Sequence, residues 1–231
     1  MSLLESITHY PLGDSALVLV FGQTIAESTN LVIKRVCTSF DSLVHPAILE
    51  YVPAYTTVTV YYDPLLLTYD NLFALIGERL TTLTTDESHD VVDKRIPVWY
   101  NGPDLNDVAE HTGLDHDTIV KMHVAPVYRV YMIGFVPGFP YLGGMDKRLA
   151  TPRKKTPRLR IDAGSVGIAG EQTGVYPMET PGGWQIIGQT PLNLFDMARE
   201  QPSFLALGDR LRFEAIDEET FFKLKEQSYG F

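Results

Sequence analysis

The spacing of apolar and polar positions divides the chain into a first part that alternates strands with helices and a second part dominated by short β runs. Asp14 to Phe21 is a compact apolar run ending at Gly22, which reads as a buried strand. Thr24 to Phe40 then places Ile25, Leu31, Val32, Val36 and Phe40 at helical spacing, with Lys34 and Arg35 on the polar side. Two β-rich segments follow, Ala47 to Val52 and Thr57 to Tyr62, separated by Pro53 and Ala54 and stopped by Asp63-Pro64. Tyr69 to Leu80 returns to helical spacing through Leu72, Phe73, Leu75 and Ile76. The order strand–helix–strand–strand–helix predicts a small split βαβ sandwich.

The polar, aperiodic stretch Thr81 to Asp90 predicts a domain boundary, placing one domain at residues 1–85 and a second at 86–231. The second opens with a strand at Arg95 to Tyr100 and two short helices within 104–124, with Asp104 and Asp115 as N-caps and Gly113 as a stop. From Val127 onward the texture is short β runs punctuated by Gly and Pro, broken only by a turn or two of helix near Leu194 to Glu200. That pattern predicts a closed or nearly closed antiparallel β architecture.

Charge changes this picture at one place. The net charge of −10 argues against nucleic-acid binding, which needs clustered cations. Yet Lys147 to Arg160 holds seven basic residues and no acidic one, stiffened by Pro152 and Pro157. Two readings stay open for it: a solvated loop, or a strip built to meet an anion. The single cysteine, Cys37, forms no internal disulfide. With no H-E-x-x-H and no C-x-x-C, no metal site is expected. No run reaches the roughly 18–20 apolar residues of a membrane span, and Met1 to Val20 is not a signal peptide. A cytoplasmic protein is expected.

Candidate chemistry is thin on spacing alone. Ser165 lies one residue off a nucleophile elbow, but all six histidines precede it and strand-like residues follow it, so a hydrolase triad is not expected. His123, at a helix end that would favour its charged form, is either a core residue or a proton shuttle. Phe135 to Gly144 (FVPGFPYLGG), Tyr176-Pro177 and Thr180 to Trp184 read as three rigid loops that could rim a pocket.

Taken in order, GFVPGFPYLGGMD, TPRKKTPR, AGSVGIAGEQTGVYP, TPGGWQIIGQTPLNLFD and GDRLRFEAI resemble the family of 5-oxoprolinase B-type subunits, also described as the kinase-inhibitor Kip or allophanate-hydrolase-subunit-1 family. The resemblance implies an α+β chain, with a ferredoxin-like first domain and a cyclophilin-like antiparallel β-barrel second. It implies an ATP-using cyclic-amide hydrolase, inactive alone, whose partners are the C-type and A-type components of 5-oxoprolinase. ATP (and Mg) would be co-substrate, with no biotin attachment. On residue type, Arg148, Arg153 and Arg158 would clamp phosphoryl oxygens, and Ser165 and Gln172 would donate to developing oxyanions. His123 or Tyr176 would move a proton, and Phe139, Tyr141 and Trp184 would exclude water. The family carries two other readings: a module that inhibits a sensor histidine kinase, and half of a urea-type carboxyltransferase. Asp162, Thr180 and Gln189 depart from the family's usual Pro, Ser and basic residue.

Overall fold

The computed structural model describes residues 6–81, 83 and 93–229, and the chain divides into two compact units, 1–90 and 91–231. The boundary expected between residues 85 and 86 lies outside the described residues.

The first unit carries a four-stranded antiparallel sheet. Its strands are β1 (Thr8–Pro11), β2 (Ala16–Val20), β3 (Ile48–Pro53) and β4 (Thr57–Tyr62), in the order β1-β2-β4-β3. Strand β4 alternates as half-buried Thr57, Thr59 and Tyr61 against buried Val58, Val60 and Tyr62, the period of a sheet with one face on a core. That core is completed by Ile33, Val36 and Phe40 of helix α1 (Glu27–Asp41) and by Leu72, Ile76 and Leu80 of α2 (Tyr69–Thr81). With β4 inserted antiparallel between β2 and β3, the expected split βαβ order is present. Beside β2, the edge position belongs to β1, an N-terminal strand that the apolar pattern did not reveal because all four of its residues are exposed.

The second unit is a nearly closed barrel. Its strands are β5 (Asp93–Val98), β6 (Tyr128–Ile133), β7 (Pro140–Gly143), β9 (Ser165–Ala169), β10 (Gln172–Val175), β12 (Gln185–Gln189) and β13 (Arg210–Ala215). They run in the order β12-β9-β10-β7-β6-β13-β5, and paired backbone hydrogen bonds of 2.9 Å between Trp99 and Gln189 join the two ends. One pairing corrects the antiparallel expectation: β5 and β13 are parallel from Asp93–Arg210 to Val98–Ala215. A parallel pair needs a long crossover, and nearly the whole barrel lies between these two strands in sequence. Leu211, Phe213, Tyr128, Val130, Ile168 and Ile187 fill the interior.

Helices α3 (Leu105–Thr112) and α4 (His116–Val124) pack on β12 and β13 respectively. Asp115 caps α4 by accepting from Thr118 N–H at 2.8 Å, and Gly113 ends α3 in the left-handed conformation. A two-stranded ribbon of β8 (Arg158–Ile161) and β11 (Thr180–Gly182) lies outside the barrel sheet. The turn expected near Leu194 to Glu200 is not helical. Instead a final helix, α5 (Glu218–Tyr229), buries Phe221 against the Trp99 ring at 5.4 Å.

Candidate functional site

The basic segment does not lie loose on the surface. Asp104, expected as the N-cap of α3, makes no side-chain cap bond. Its carboxylate turns toward the segment, accepting from Lys154 Nζ at 2.7 Å, from both terminal nitrogens of Arg158, and from the Ile186 backbone N–H at 2.7 Å. Asp104 is 1% exposed. Burial alone would raise its carboxyl pKa, but the bonds from Arg158, Lys154 and Ile186 outweigh burial and hold it below the usual carboxylate range. Lys154 also meets Asp107 at 2.8 Å.

Other cations of the segment have local carboxylates. Arg148 bonds Asp146, Lys147 meets Glu171 at 3.2 Å, and Arg160 meets Asp162 and Glu179. The counter-charges of these cations come from the flanking chain and, for Lys154 and Arg158, from the start of α3. Arg153 and Lys155 are different. Among the described residues neither has a carboxylate partner, and the Arg153 guanidinium sits 6.0 Å over the Trp184 ring.

Two grooves flank this network. One, of about 230 Å³, is lined by Ser165, Arg158, Arg160, Asn101 and Gln189 among others. The other, of about 490 Å³, is lined by Arg153, Lys154, Lys155, Thr156, His111 and Gln185 among others. Asp104 lies between them, holding Arg158 of the first and Lys154 of the second.

The remaining expected residues are dispersed. His123 is fully buried beneath the barrel. Tyr100 O–H donates to its Nδ1 at 2.7 Å; its Nε2–H donates to Thr173 Oγ1 at 2.9 Å, since Thr173 spends its own proton on the Gly167 carbonyl. Burial pushes the imidazole down to about 3, so the expectation of a charge-favouring helix end is reversed: desolvation exceeds the helix-terminus effect.

Phe139, Tyr176 and Trp184 form a second buried cluster with Ile161 and Ile186, and Tyr141 packs on its edge. Phe139 meets Tyr141, Tyr176 and Trp184 edge-to-face at 5.0, 5.2 and 5.4 Å. Phe139, Tyr176 and Trp184 are buried and Tyr141 is half-buried; burial pushes the Tyr176 phenol up to about 12. Gln172, on β10, and Arg148 line neither groove. Residues not expected from sequence are Asp104 as a buried anion, and Gln185, whose amide Nε2 donates to the Pro152 carbonyl at 2.9 Å. Among the described residues no group of three or more His, Cys, Asp or Glu could hold a metal ion.

The carboxyltransferase domain family, subdomains C and D, matches residues 7–205. The B-type subunit of 5-oxoprolinase from Bacillus subtilis (strain 168) is 41% identical over 230 residues, spanning 94% of this chain and 96% of that protein. The chain belongs to the 5-oxoprolinase B-type family. Its counterpart in Escherichia coli O157:H7 is 41% identical over 88% of this chain and 94% of that protein. In the crystal structure of TTHA0988 the similar part has 36% identity and a TM-score of 0.79. It covers 87% of this chain but 39% of that one, so this chain spans about two-fifths of the longer structure. The sequence blocks that carried the family resemblance, such as TPRKKTPR and TPGGWQIIGQT, are the segments that build the Asp104 network and both grooves.

Proposed function

We propose that this chain is the B-type component of a cytoplasmic, ATP-dependent 5-oxoprolinase, working with C-type and A-type components to open 5-oxoproline to glutamate. The observation that carries this reading is end-to-end similarity to a 5-oxoprolinase component of the same type over 96% of that protein's length. Similarity to part of a longer chain accords with a unit that works beside further domains. No described helix is long and apolar enough to cross a membrane. The split βαβ order and the closed barrel accord with the ferredoxin-like and cyclophilin-like classes.

A five-membered lactam resists water. Transfer of the ATP γ-phosphoryl group to the amide oxygen releases ADP and leaves an imidate-type carbon open to water. The adduct expels the ring nitrogen as an amine, and a second water releases phosphate from the resulting acyl phosphate. Arg153 and Lys155, the cations of the basic segment without carboxylate partners among the described residues, offer charge to an anionic substrate. Arg158 and Lys154, tied to Asp104, hold the segment in place. His123 and Tyr176, both buried, act by positioning the barrel. Magnesium would arrive with the nucleotide.

The test is reconstitution with the C-type and A-type components and an assay of ATP-dependent glutamate release from 5-oxoproline. Release requiring all three proteins is expected; a stable complex without release would overturn the assignment. Within an active complex, Arg153→Ala should lower turnover without altering folding, and unchanged kinetics would remove Arg153 from the site.

A further inference from the structure

Ser165 carries a hydroxyl that the fold itself does not use. It lies on β9, where Val166 and Ile168 enter the barrel interior, so strand alternation turns Ser165 to the outer face. There it is 6% exposed and lines the 230 Å³ groove. Its Oγ bonds no other described residue, and it is not sealed as Gln185 Oε1 is. A polar group so deep and still unpaired calls for an explanation.

Its neighbour across the sheet supplies one. Gln189 of β12 stands opposite Ser165 in register, which puts both side chains on one face with Cβ atoms about 4.5–5.5 Å apart. Gln189 also lines the groove. Its Nε2 donates to the Ala163 carbonyl at 2.9 Å, which settles the amide orientation. Its Oε1 bonds no described residue and, like Ser165 Oγ, is not sealed. The groove thus holds a free hydroxyl donor beside a free amide acceptor. Arg158 and Arg160 line it too, but Asp104 ties the first, and Asp162 and Glu179 the second, so neither offers open charge. The volume lies below the about 300–1,000 Å³ of drug-sized sites, which suits a smaller ligand. A donor next to an acceptor matches a ligand edge with an acceptor next to a donor. A cis amide has that edge, because its planar unit points C=O and N–H the same way; a trans peptide sends them to opposite sides.

We propose that this groove seats the cis-amide edge of the lactam substrate, with Ser165 O–H donating to its carbonyl and Gln189 Oε1 accepting its ring N–H. The proposal rests on the 5-oxoprolinase reading and makes Ser165 and Gln189 specificity residues for it. The 490 Å³ groove, where Arg153 and Lys155 hold the open positive charge, is not assigned this role.

The experiment compares 5-oxoproline with its lactone analogue, in which oxygen replaces the ring N–H while the carbonyl and carboxylate stay. Calorimetric binding to the full-length chain is measured for wild type, Ser165→Ala and Gln189→Met. In the three-component complex, KM for 5-oxoproline and inhibition by the lactone are measured for the same proteins. Wild type should favour 5-oxoproline by more than about tenfold, since the lactone sets an oxygen against Gln189 Oε1. Gln189→Met should bring the two ligands to within about threefold of each other, whereas a merely structural role would weaken both alike. Ser165→Ala removes a hydroxyl that bonds no described residue, so the melting temperature should hold. Both ligands should weaken by about fivefold in that variant, with their ratio kept.

An unchanged ligand ratio in Gln189→Met overturns the proposal, as does wild-type indifference to the lactone exchange or full affinity in Ser165→Ala. Inorganic phosphate that displaces 5-oxoproline and is itself weakened by Ser165→Ala also overturns it, in favour of an anion site. An active complex whose KM ignores both substitutions sinks the proposal and leaves the 5-oxoprolinase reading intact. An inactive complex sinks that reading, and the lactone comparison on the chain still decides the groove. No binding by chain or complex counts against the proposal.

Discussion

Asp104 shows how one carboxylate sets the character of a basic segment. Its desolvation is offset only while Arg158, Lys154 and the Ile186 N–H all point at it. Asp104→Asn should therefore leave Arg158 without its counter-charge and Lys154 with Asp107 alone. The expected loss is about 2–4 kcal/mol, somewhat below that of a wholly buried pair because Lys154 and Arg158 are partly solvated; the urea midpoint measures it. An unchanged midpoint would mean that Lys154 and Arg158 find water equally good. His123 makes the complementary prediction for pH. Its folded pKa of about 3 lies below the unfolded value near 6.5. The unfolded chain thus binds more protons between those values, and stability present above pH 6.5 is lost as pH falls toward 3. The slope is at most about 1.4 kcal/mol per pH unit. His123→Gln should flatten the change in urea midpoint between about pH 7 and pH 5, where the unfolded imidazole takes up its proton; an identical change in both proteins would contradict the buried neutral imidazole.

At the scale of elements, a turn and a helix end carry the strongest constraints. Gly164 joins β8 to β9 with a φ of 82°, and a Cβ there would lie 2.4 Å from the Thr190 carbonyl oxygen, itself held in place because Thr190 N–H bonds the Gly164 carbonyl. Gly164→Ala meets both a disfavoured backbone and fixed atoms. Its expected cost exceeds the roughly 1 kcal/mol of left-handed strain alone, read as a drop in melting temperature; an unchanged melting temperature would show that the turn rearranges freely. Helix α5 escaped the sequence reading although Asp217 accepts from the Thr220 N–H at 2.9 Å in the manner of an N-cap. Glu218 and Glu219 stand in its first turn and Phe221 carries its buried contact, but the flanking β texture masked so short a signal. Phe221→Ala should cost about 3–5 kcal/mol, typical of a buried ring, and a loss well under that range would mean α5 is peripheral to the barrel.

Considered as a whole molecule, the chain holds two units that each complete a core of their own. A fragment beginning at Asp93 should therefore fold, and its near-UV circular dichroism should retain the signals of Trp99 and Trp184; a featureless spectrum would show that the barrel depends on the first unit. The local order of elements was legible because it rests on short-range physics. Apolar spacing marked β2, β4, α1 and α2, and Asp115 and Gly113 marked helix ends that the structure bears out. The barrel was legible as texture, and the family as unbroken sequence blocks. What no local pattern carried was partnership across the fold. Strand β13 runs parallel to β5 although Asp93 and Arg210 are far apart in sequence, and Trp99 meets Gln189 to close the barrel. Phe139, Tyr176 and Trp184 of the Pro- and Gly-rich loops turned inward because three rings from separate segments could bury one another. The seven cations of the basic segment looked unpaired because Asp104, the anion that holds two of them, comes from a helix start 50 residues before Lys154. Sequence alone thus determined the strands and helices that carry strong apolar spacing, and the family to which the chain belongs, since both follow from residue type and spacing. Tertiary structure alone decided which charges remain open and that Gln185 keeps an unpaired acceptor, because pairing and burial depend on neighbours distant in the chain.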